Sequence, residues 1–125
     1  MALEEGTVKK HFEKLAGVWA GQIEQDSGTL DCQLSNANGN SIAFRWEKRA
    51  PEEIWYSLGS GGKWLYENWD EHLEREQPEV ILEYSKILAT RWLEHPVRLR
   101  RTFWLWGRIE PQFFSTSGWE NVRRI

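Results

Sequence analysis

The segment Arg98-Leu99-Arg100-Arg101-Thr102 carries the side chains best suited to bind a charged ligand. Side chains alternate between the two faces of a strand, so Arg98 and Arg100 would share one face. The same alternation adds Trp104 and Trp106 to it. Guanidinium groups bind carboxylates through two parallel hydrogen bonds. We therefore predict a site for the carboxylates of an aromatic-sized molecule. The alternative is that this face is the solvated outside of the sheet.

Tryptophan is unusually frequent in this chain of 125 residues, at positions 19, 46, 55, 64, 69, 92, 104, 106 and 119. A core of this size can use roughly three or four such side chains. We expect others among them to line a cavity, a groove or a partner surface. The alternative is that they are bulky strand residues, which β-structure favours.

Residues typical of metal or nucleophilic sites are few and far apart. His11, His72 and His95 have no metal-ligand spacing. A haem site would need a His near the C-terminus as ligand to the iron, and residues 96–125 contain none. Cys32 belongs to an alternating apolar pattern and is expected to be a small buried hydrophobe. We predict no catalytic residue, no metal and no cofactor apart from a bound ligand.

The composition, with 40% hydrophobic and 28% charged residues, predicts one globular domain over 1–125. The net charge is −3, but residues 86–125 hold 8 basic against 3 acidic side chains, which suits an anionic ligand or acidic partner. Nucleic acid is a weaker interpretation, because the acidic remainder would repel phosphate. One cysteine, the acidic start Met1-Ala2-Leu3-Glu4-Glu5 and the lack of a membrane-length apolar run predict a cytoplasmic protein without signal peptide or membrane span.

One short helix is predicted near the N-terminus, where Val8, Phe12 and Leu15 recur at helical spacing between Thr7 as N-cap and Gly17. Beyond it, apolar runs separated by turn residues predict strands about every ten residues. These strands cover 18–24, 29–35, 41–48, 53–58, 63–69, 80–87, 90–94 and 97–106, with a last pairing region over 112–125. The pattern predicts an all-β fold, namely a small antiparallel up-and-down β-barrel with one short N-terminal helix. A two-sheet sandwich is the alternative.

The junction of helix and first strand, Leu15-Ala16-Gly17-Val18-Trp19-Ala20-Gly21, resembles the Gly-x-Trp signature of lipocalins and their calycin relatives, which include fatty-acid-binding proteins. In that family the Trp caps the closed end of the barrel and lies against an Arg from the last strand. The resemblance assigns this structural role to Trp19, with Arg123 or Arg124 as the cation. Such a contact contributes about 0.5–2 kcal/mol.

A second resemblance rests on six segments, namely Phe12-Glu13-Lys14-Leu15-Ala16-Gly17-Val18-Trp19, Phe44-Arg45-Trp46-Glu47, Glu83-Tyr84, Thr90-Arg91-Trp92, Arg98-Leu99-Arg100-Arg101-Thr102 and Phe113-Phe114-Ser115. In these segments the chain resembles the S/U type of phycobiliprotein (bilin) lyase, a family with a lipocalin-like fold. The resemblance implies an open-chain tetrapyrrole in the barrel, with Arg98 and Arg100 on its propionates and Trp46 or Trp92 against its rings. The attacking thiol would belong to a client phycobiliprotein, and the lyase would orient the chromophore. Thr90 stands where that family has a Glu, so Glu24, Glu83 or Glu94 would have to replace that acid.

We therefore expect a binder of a bulky, anionic aromatic or tetrapyrrole ligand, acting as a chromophore lyase or carrier. The ligand-binding set is Arg98, Arg100, Trp46, Tyr84, Trp92 and Trp104. Two other classes stay open. One is a barrel cyclase that acts on an apolar molecule by preorganisation. The other is an adaptor whose tryptophan-rich exterior binds protein, either another chain or a second copy in a homodimer.

Overall fold

The structure is a computed structural model that describes residues 2–73, 78–101 and 109–122, with the backbone alone at 66–73 and 101. The elements are α1 (Glu5–Val18), β1 (Ala20–Asp26), β2 (Thr29–Ser35), β3 (Asn40–Glu47), β4 (Ala50–Ser60), β5 (Lys63–Leu73), α2 (Pro78–Leu93), β6 (Val97–Arg101), β7 (Ile109–Ser115) and β8 (Gly118–Asn121). The strands form a five-stranded antiparallel sheet in the order β1 to β5 and a three-stranded antiparallel sheet β6–β7–β8. The mainly antiparallel β-structure and the N-terminal helix that the sequence predicts are confirmed.

Helix α1 packs through the face that its sequence predicts. Its buried residues are Val8, Phe12 and Leu15. The residue before the helix is Glu4, which makes no side-chain cap, so the prediction of Thr7 as N-cap is wrong. The helix ends where Trp19 adopts an extended conformation and donates its backbone N–H to the carbonyl oxygen of Leu15 at 3.1 Å.

The five-stranded sheet buries one face in the core, as the alternation of its strands predicts, and its outer face is exposed except around Ala43, Ser57 and Gly59. The buried face carries Leu30, Cys32, Leu34, Ile42, Phe44, Trp46, Ile54, Tyr56 and Leu58. The strand predicted over 29–35 coincides with β2. The hairpin geometry of the sheet therefore follows from local sequence, because each connection from β1 to β5 is a short turn.

Helix α2 takes the place of two predicted strands, so the strands expected over 80–87 and 90–94 are wrong. The buried residues of α2 are Ile81, Ser85, Leu88, Ala89, Trp92 and Leu93. Their spacing is that of one face of an α-helix, and this face packs into the same core as the sheet. Pro78 begins the helix, where its missing N–H removes no helical hydrogen bond. The fold therefore has a second helix that an all-β barrel does not include.

A closed barrel is not found in the described part of the chain. Among those residues, no strand pair joins the five-stranded sheet to the three-stranded one. Both helices contact the five-stranded sheet, and their side chains share one hydrophobic core with it. Buried core side chains thus cover the inner face of the sheet, where the sequence predicts a ligand cavity.

The turn between β2 and β3 holds the C-terminal end of α2. The side-chain amides of Asn36 and Asn38 donate to the carbonyl oxygen of Leu93 at 2.8 and 2.9 Å. Asn40 lies deeper, and its amide donates to the carbonyl oxygen of Trp92 at 2.9 Å. The last carbonyls of a helix have no partner within the helix. These three asparagines therefore donate the hydrogen bonds that the last carbonyl groups of α2 cannot receive from within the helix.

One hydrogen bond between α1 and α2 involves a titratable group. His11 Nε2 lies 2.8 Å from Ser85 Oγ, and this hydroxyl donates to the carbonyl oxygen of Leu82 at 2.6 Å. A hydroxyl has one proton, so His11 is the donor to Ser85. Burial lowers the pKa of His11, while the carboxylate of Glu83 acts in the opposite direction. The folded protein thus favours the neutral imidazole.

We expect the free energy of unfolding to fall as the pH drops below about 6.5, the ordinary pKa of His. The unfolded chain then binds a proton more readily than the folded chain, so His11 favours unfolding. Above that pH the contribution of His11 is complete. Urea unfolding at about pH 5.5 and about pH 7.5 measures this dependence. The same measurement on the His11→Gln variant is subtracted, which removes the pH dependence contributed by all other titratable groups. An identical pH dependence in the wild-type protein and the variant would contradict the role of His11.

Candidate functional site

The three-stranded sheet carries Arg98 in a row of polar side chains that crosses all its strands. Arg98 of β6 lies opposite Gln112 of β7, and Gln112 lies opposite Asn121 of β8. Arg98 Nε donates to Gln112 Oε1 at 2.8 Å, and Gln112 Nε2 donates to Asn121 Oδ1 at 2.9 Å. Gln112 is buried, so its amide has little freedom to turn away. The row therefore fixes the direction of the Arg98 guanidinium.

Two exposed aromatic side chains meet beside this row. Phe114 of β7 and Trp119 of β8 lie opposite each other, with ring centroids 5.2 Å apart in an edge-to-face arrangement. They are 47% and 38% exposed. Arg98 Cζ lies 4.0 Å from the centre of the Trp119 ring, which is the geometry of a cation–π contact. We call Arg98, Phe114 and Trp119 the aromatic–guanidinium patch.

The patch lies on the face of the three-stranded sheet that points away from the core. Val97 and Leu99 pack against the core, whereas Arg98 is half-buried and Arg100 is exposed. The strand thus divides into the two faces that its alternation predicts, and the guanidinium face is the outer one. Trp104, the other tryptophan predicted for this site, lies outside the described residues.

No protein-family model, curated protein or solved structure matches this chain. The patch must therefore be interpreted from its own chemistry. In the described residues no helix has the length and apolar character needed to span a membrane. The same residues hold no cluster of three or more His, Cys, Asp or Glu side chains that could bind a metal ion.

The tryptophans that the bilin-lyase resemblance assigns to a ligand are core residues in this structure. Trp46 is 2% exposed and Trp92 is fully buried. Their indole N–H groups donate to the carbonyl oxygens of Pro51 at 3.1 Å and Gly59 at 2.9 Å. Tyr84 is half-buried on α2. The structure therefore places Trp46 and Trp92 in the core, away from the outer face that carries Arg98 and Arg100.

Cys32 lies in the core, as its alternating pattern predicts. Burial raises the pKa of its thiol to about 12. A thiolate is the reactive form of cysteine, so this side chain is not a nucleophile at neutral pH. Trp19 is also buried, at the junction of α1 and β1. Its proposed partners, Arg123 and Arg124, lie outside the described residues.

A cleft of about 250 Å³ borders the patch. It is lined by Arg91, Gln112, Phe113, Trp119, Glu120 and Asn121. Arg91 Cζ lies 5.6 Å from the centre of the Phe113 ring, and its Nη1 donates to the carbonyl oxygen of Val122 at 3.1 Å. Trp119 borders the cleft and also contacts Arg98. A ligand lying on this indole could therefore reach both the cleft and the Arg98 guanidinium.

The sequence predicts Arg98 as a site residue but does not predict the residues that surround it. Gln112 and Phe114 are two positions apart in β7 and so share a face. Gly118 has a φ of 100°, which an L side chain rarely adopts, and it closes a tight turn between β7 and β8. This turn places Trp119 opposite Phe114. The turn signal at Gly118, combined with strand alternation, could have identified the aromatic pair.

Proposed function

We propose that this protein is a binding module that holds a bulky, anionic aromatic ligand on the aromatic–guanidinium patch. The orientation of Arg98 carries this proposal. Its Nε is held by Gln112 and its Cζ lies over Trp119, while its Nη groups make no hydrogen bond to the described residues. A guanidinium oriented in advance loses less side-chain entropy when it binds a carboxylate. Exposed Trp119 and Phe114 supply apolar area for an aromatic ring.

A bilin is the specific ligand that the family resemblance supplies for this class. One propionate would pair with Arg98 and the other with Arg100, while pyrrole rings would lie on Trp119 and Phe114. The protein would then act as a chromophore lyase or carrier that orients the bilin for a thiol of a client phycobiliprotein. Closure of the two sheets into one lipocalin-like barrel belongs to the same hypothesis, and an experimental structure of the full chain would test it.

The combined variant Arg98→Glu with Arg100→Glu should weaken binding of an anionic aromatic ligand about 10- to 100-fold. This range follows because a hydrogen bond to a charged group contributes about 1.5–3 kcal/mol. Titration with phycocyanobilin, followed by its visible spectrum, measures the effect. Titration with 8-anilinonaphthalene-1-sulfonate, followed by fluorescence, tests the ligand class without the bilin.

The matched control is Lys9→Glu with Lys10→Glu, which makes the same change in charge on exposed residues of α1. Circular dichroism should show all variants folded. Equal binding by the two double variants would place the site elsewhere. If the protein binds the sulfonate but not the bilin, the result supports an anionic aromatic ligand and excludes the tetrapyrrole.

A protein partner is the second candidate, because Phe114 and Trp119 are exposed above a filled core. Trp and Arg are enriched among the residues that dominate protein interfaces. Such a partner would present an acidic side chain to Arg98. Sedimentation compares the oligomeric state of the wild-type protein with that of Arg98→Glu, and so tests whether the partner is a second copy of this chain. A cyclase would need an apolar cavity, which the packed core of the described residues does not favour.

A further inference from the structure

The outer face of the five-stranded sheet carries a second surface whose chemistry differs from that of the patch. Ala43 lies opposite Ser57, and Ser41 lies opposite Gly59, so four small residues form a low floor across β3 and β4. Trp64 of β5 lies opposite Gly59 and borders this floor. We call these five residues and the cavities around them the sheet groove.

The position of Trp64 depends on the absence of a side chain at Gly59. A Cβ at this position would lie 3.0 Å from Trp64 Cε3 and 2.4 Å from Ser41 Oγ. The indole therefore packs against the floor, yet 45% of the residue stays exposed. Trp64 borders two cavities, of about 90 Å³ and about 250 Å³. It thus offers a flat apolar surface to a ligand in the groove.

Ser57 supplies an independent indication of a ligand. The residue is 2% exposed, and its Oγ has no hydrogen-bond partner within the described part of the chain. Buried hydroxyl groups nearly always have a partner. Ser57 lines the smaller cavity together with Trp64. The missing partner of this hydroxyl can therefore come from the groove.

Among the side chains that the structure describes, the groove offers hydrogen bonds without unpaired charge. At one end of the smaller cavity, Arg45 Nε lies 2.7 Å from Asp31 Oδ1 and Arg45 Nη2 lies 3.0 Å from Asp31 Oδ2, so the two charges neutralise each other. The larger cavity is lined by Ala20, Gly21, Gln22, Gln33, Leu34, Ser35, Ser41 and Trp64, none of which is charged. Amides and hydroxyls both donate and accept hydrogen bonds. This lining suits a neutral ligand with many hydroxyl groups.

We propose that the sheet groove is a carbohydrate-binding site in which a neutral pyranose ring stacks on Trp64 and one of its hydroxyls bonds to Ser57 Oγ. A pyranose combines an apolar C–H face with a rim of hydroxyls, and so matches an exposed indole beside neutral polar groups. An anion would have to compete with the Arg45–Asp31 pair. The site lies on a different sheet from the aromatic–guanidinium patch, so either proposal can fail without the other.

Titration of the ¹⁵N-labelled wild-type protein with neutral gluco-, galacto-, manno- and N-acetylglucosaminyl disaccharides tests the proposal. We expect at least one sugar to cause saturable shifts of the Trp64 indole N–H and the Ser57 amide. Trp64→Ala should abolish these shifts at Ser57. The control Trp119→Ala, which removes the exposed indole of the other sheet, should leave them unchanged.

Ser57→Ala distinguishes a ligand contact from a structural role. Removing an unpartnered buried hydroxyl should leave the urea midpoint unchanged or raise it. It should also weaken sugar binding roughly 3- to 10-fold, the range for one lost hydrogen bond. A lower urea midpoint with unchanged sugar binding would overturn the role of Ser57. The carbohydrate proposal would be overturned if none of the four sugars shifts these signals. That conclusion would hold even if added free indole shifts the Trp64 signal.

Discussion

Replacing Asn40 by aspartate should destabilise the protein by about 3 kcal/mol or more, because the change orphans two carbonyl groups at the end of α2. Asn40 is 5% exposed, and its Nδ2 donates to the carbonyl oxygens of Trp92 at 2.9 Å and His95 at 2.8 Å. Aspartate has the same shape but no donor when ionised. It would place a carboxylate against these oxygens at the negative end of the helix dipole.

Urea unfolding followed by circular dichroism at neutral pH measures this loss. The matched control is Asn38→Asp, which makes the same chemical change at an exposed residue. The carbonyl oxygen of Leu93 keeps its bond from Asn36, so we expect the control to lose less than about 1 kcal/mol. Equal losses in the two variants would show that the buried donors of Asn40 are not what stabilises the helix end.

The turn around Asn40 shows which features local sequence predicts and which it does not. Asn38-Gly39 predicts a tight hairpin, and the structure confirms it, with a φ of 90° at Gly39. The capping of α2 by the same turn could not be predicted, because the acceptors of Asn36 and Asn40 lie 52 to 57 residues further along the chain. Only the packing of α2 on the sheet brings them together.

The sequence of α2 predicts strands because it contains residues that also favour strands. Val80, Ile81 and Tyr84 are β-branched or aromatic. No Gly or Pro separates Val80 from Leu93, however, and two short strands would need a turn between them. The buried positions recur every three or four residues, which is the helical period. This spacing was the stronger signal.

The candidate site was predictable in part. Alternation correctly separates Arg98 from Leu99, because it depends only on strand geometry. Which face points outwards depends on packing, and the structure places Val97 and Leu99 against the core. The tryptophans show the same limit, since burial of Trp92 and exposure of Trp119 follow from the elements that carry them.

Shortening Trp92 should have the other large effect on stability. The residue is fully buried, and Trp92→Ala should lose about 3–5 kcal/mol through the cavity it leaves. Trp92→Phe keeps an aromatic ring but removes the indole N–H that donates to the carbonyl oxygen of Gly59 at 2.9 Å. Leaving that buried acceptor unpaired should cost about 1–3 kcal/mol. Unfolding by guanidinium chloride measures these losses. If the slope of the unfolding free energy against denaturant concentration is unchanged in the variants, the losses belong to the folded state.

Trp55→Phe is the matched control for the hydrogen bond. It also removes an indole N–H, but this one donates to the Glu53 carboxylate at 3.0 Å, and both residues are half-exposed. Water can replace that bond, so the loss should stay below about 1 kcal/mol. If Trp92→Phe lost no more than Trp55→Phe, the bond to Gly59 would contribute little. A larger loss would show that this bond stabilises the packing of α2 against β4.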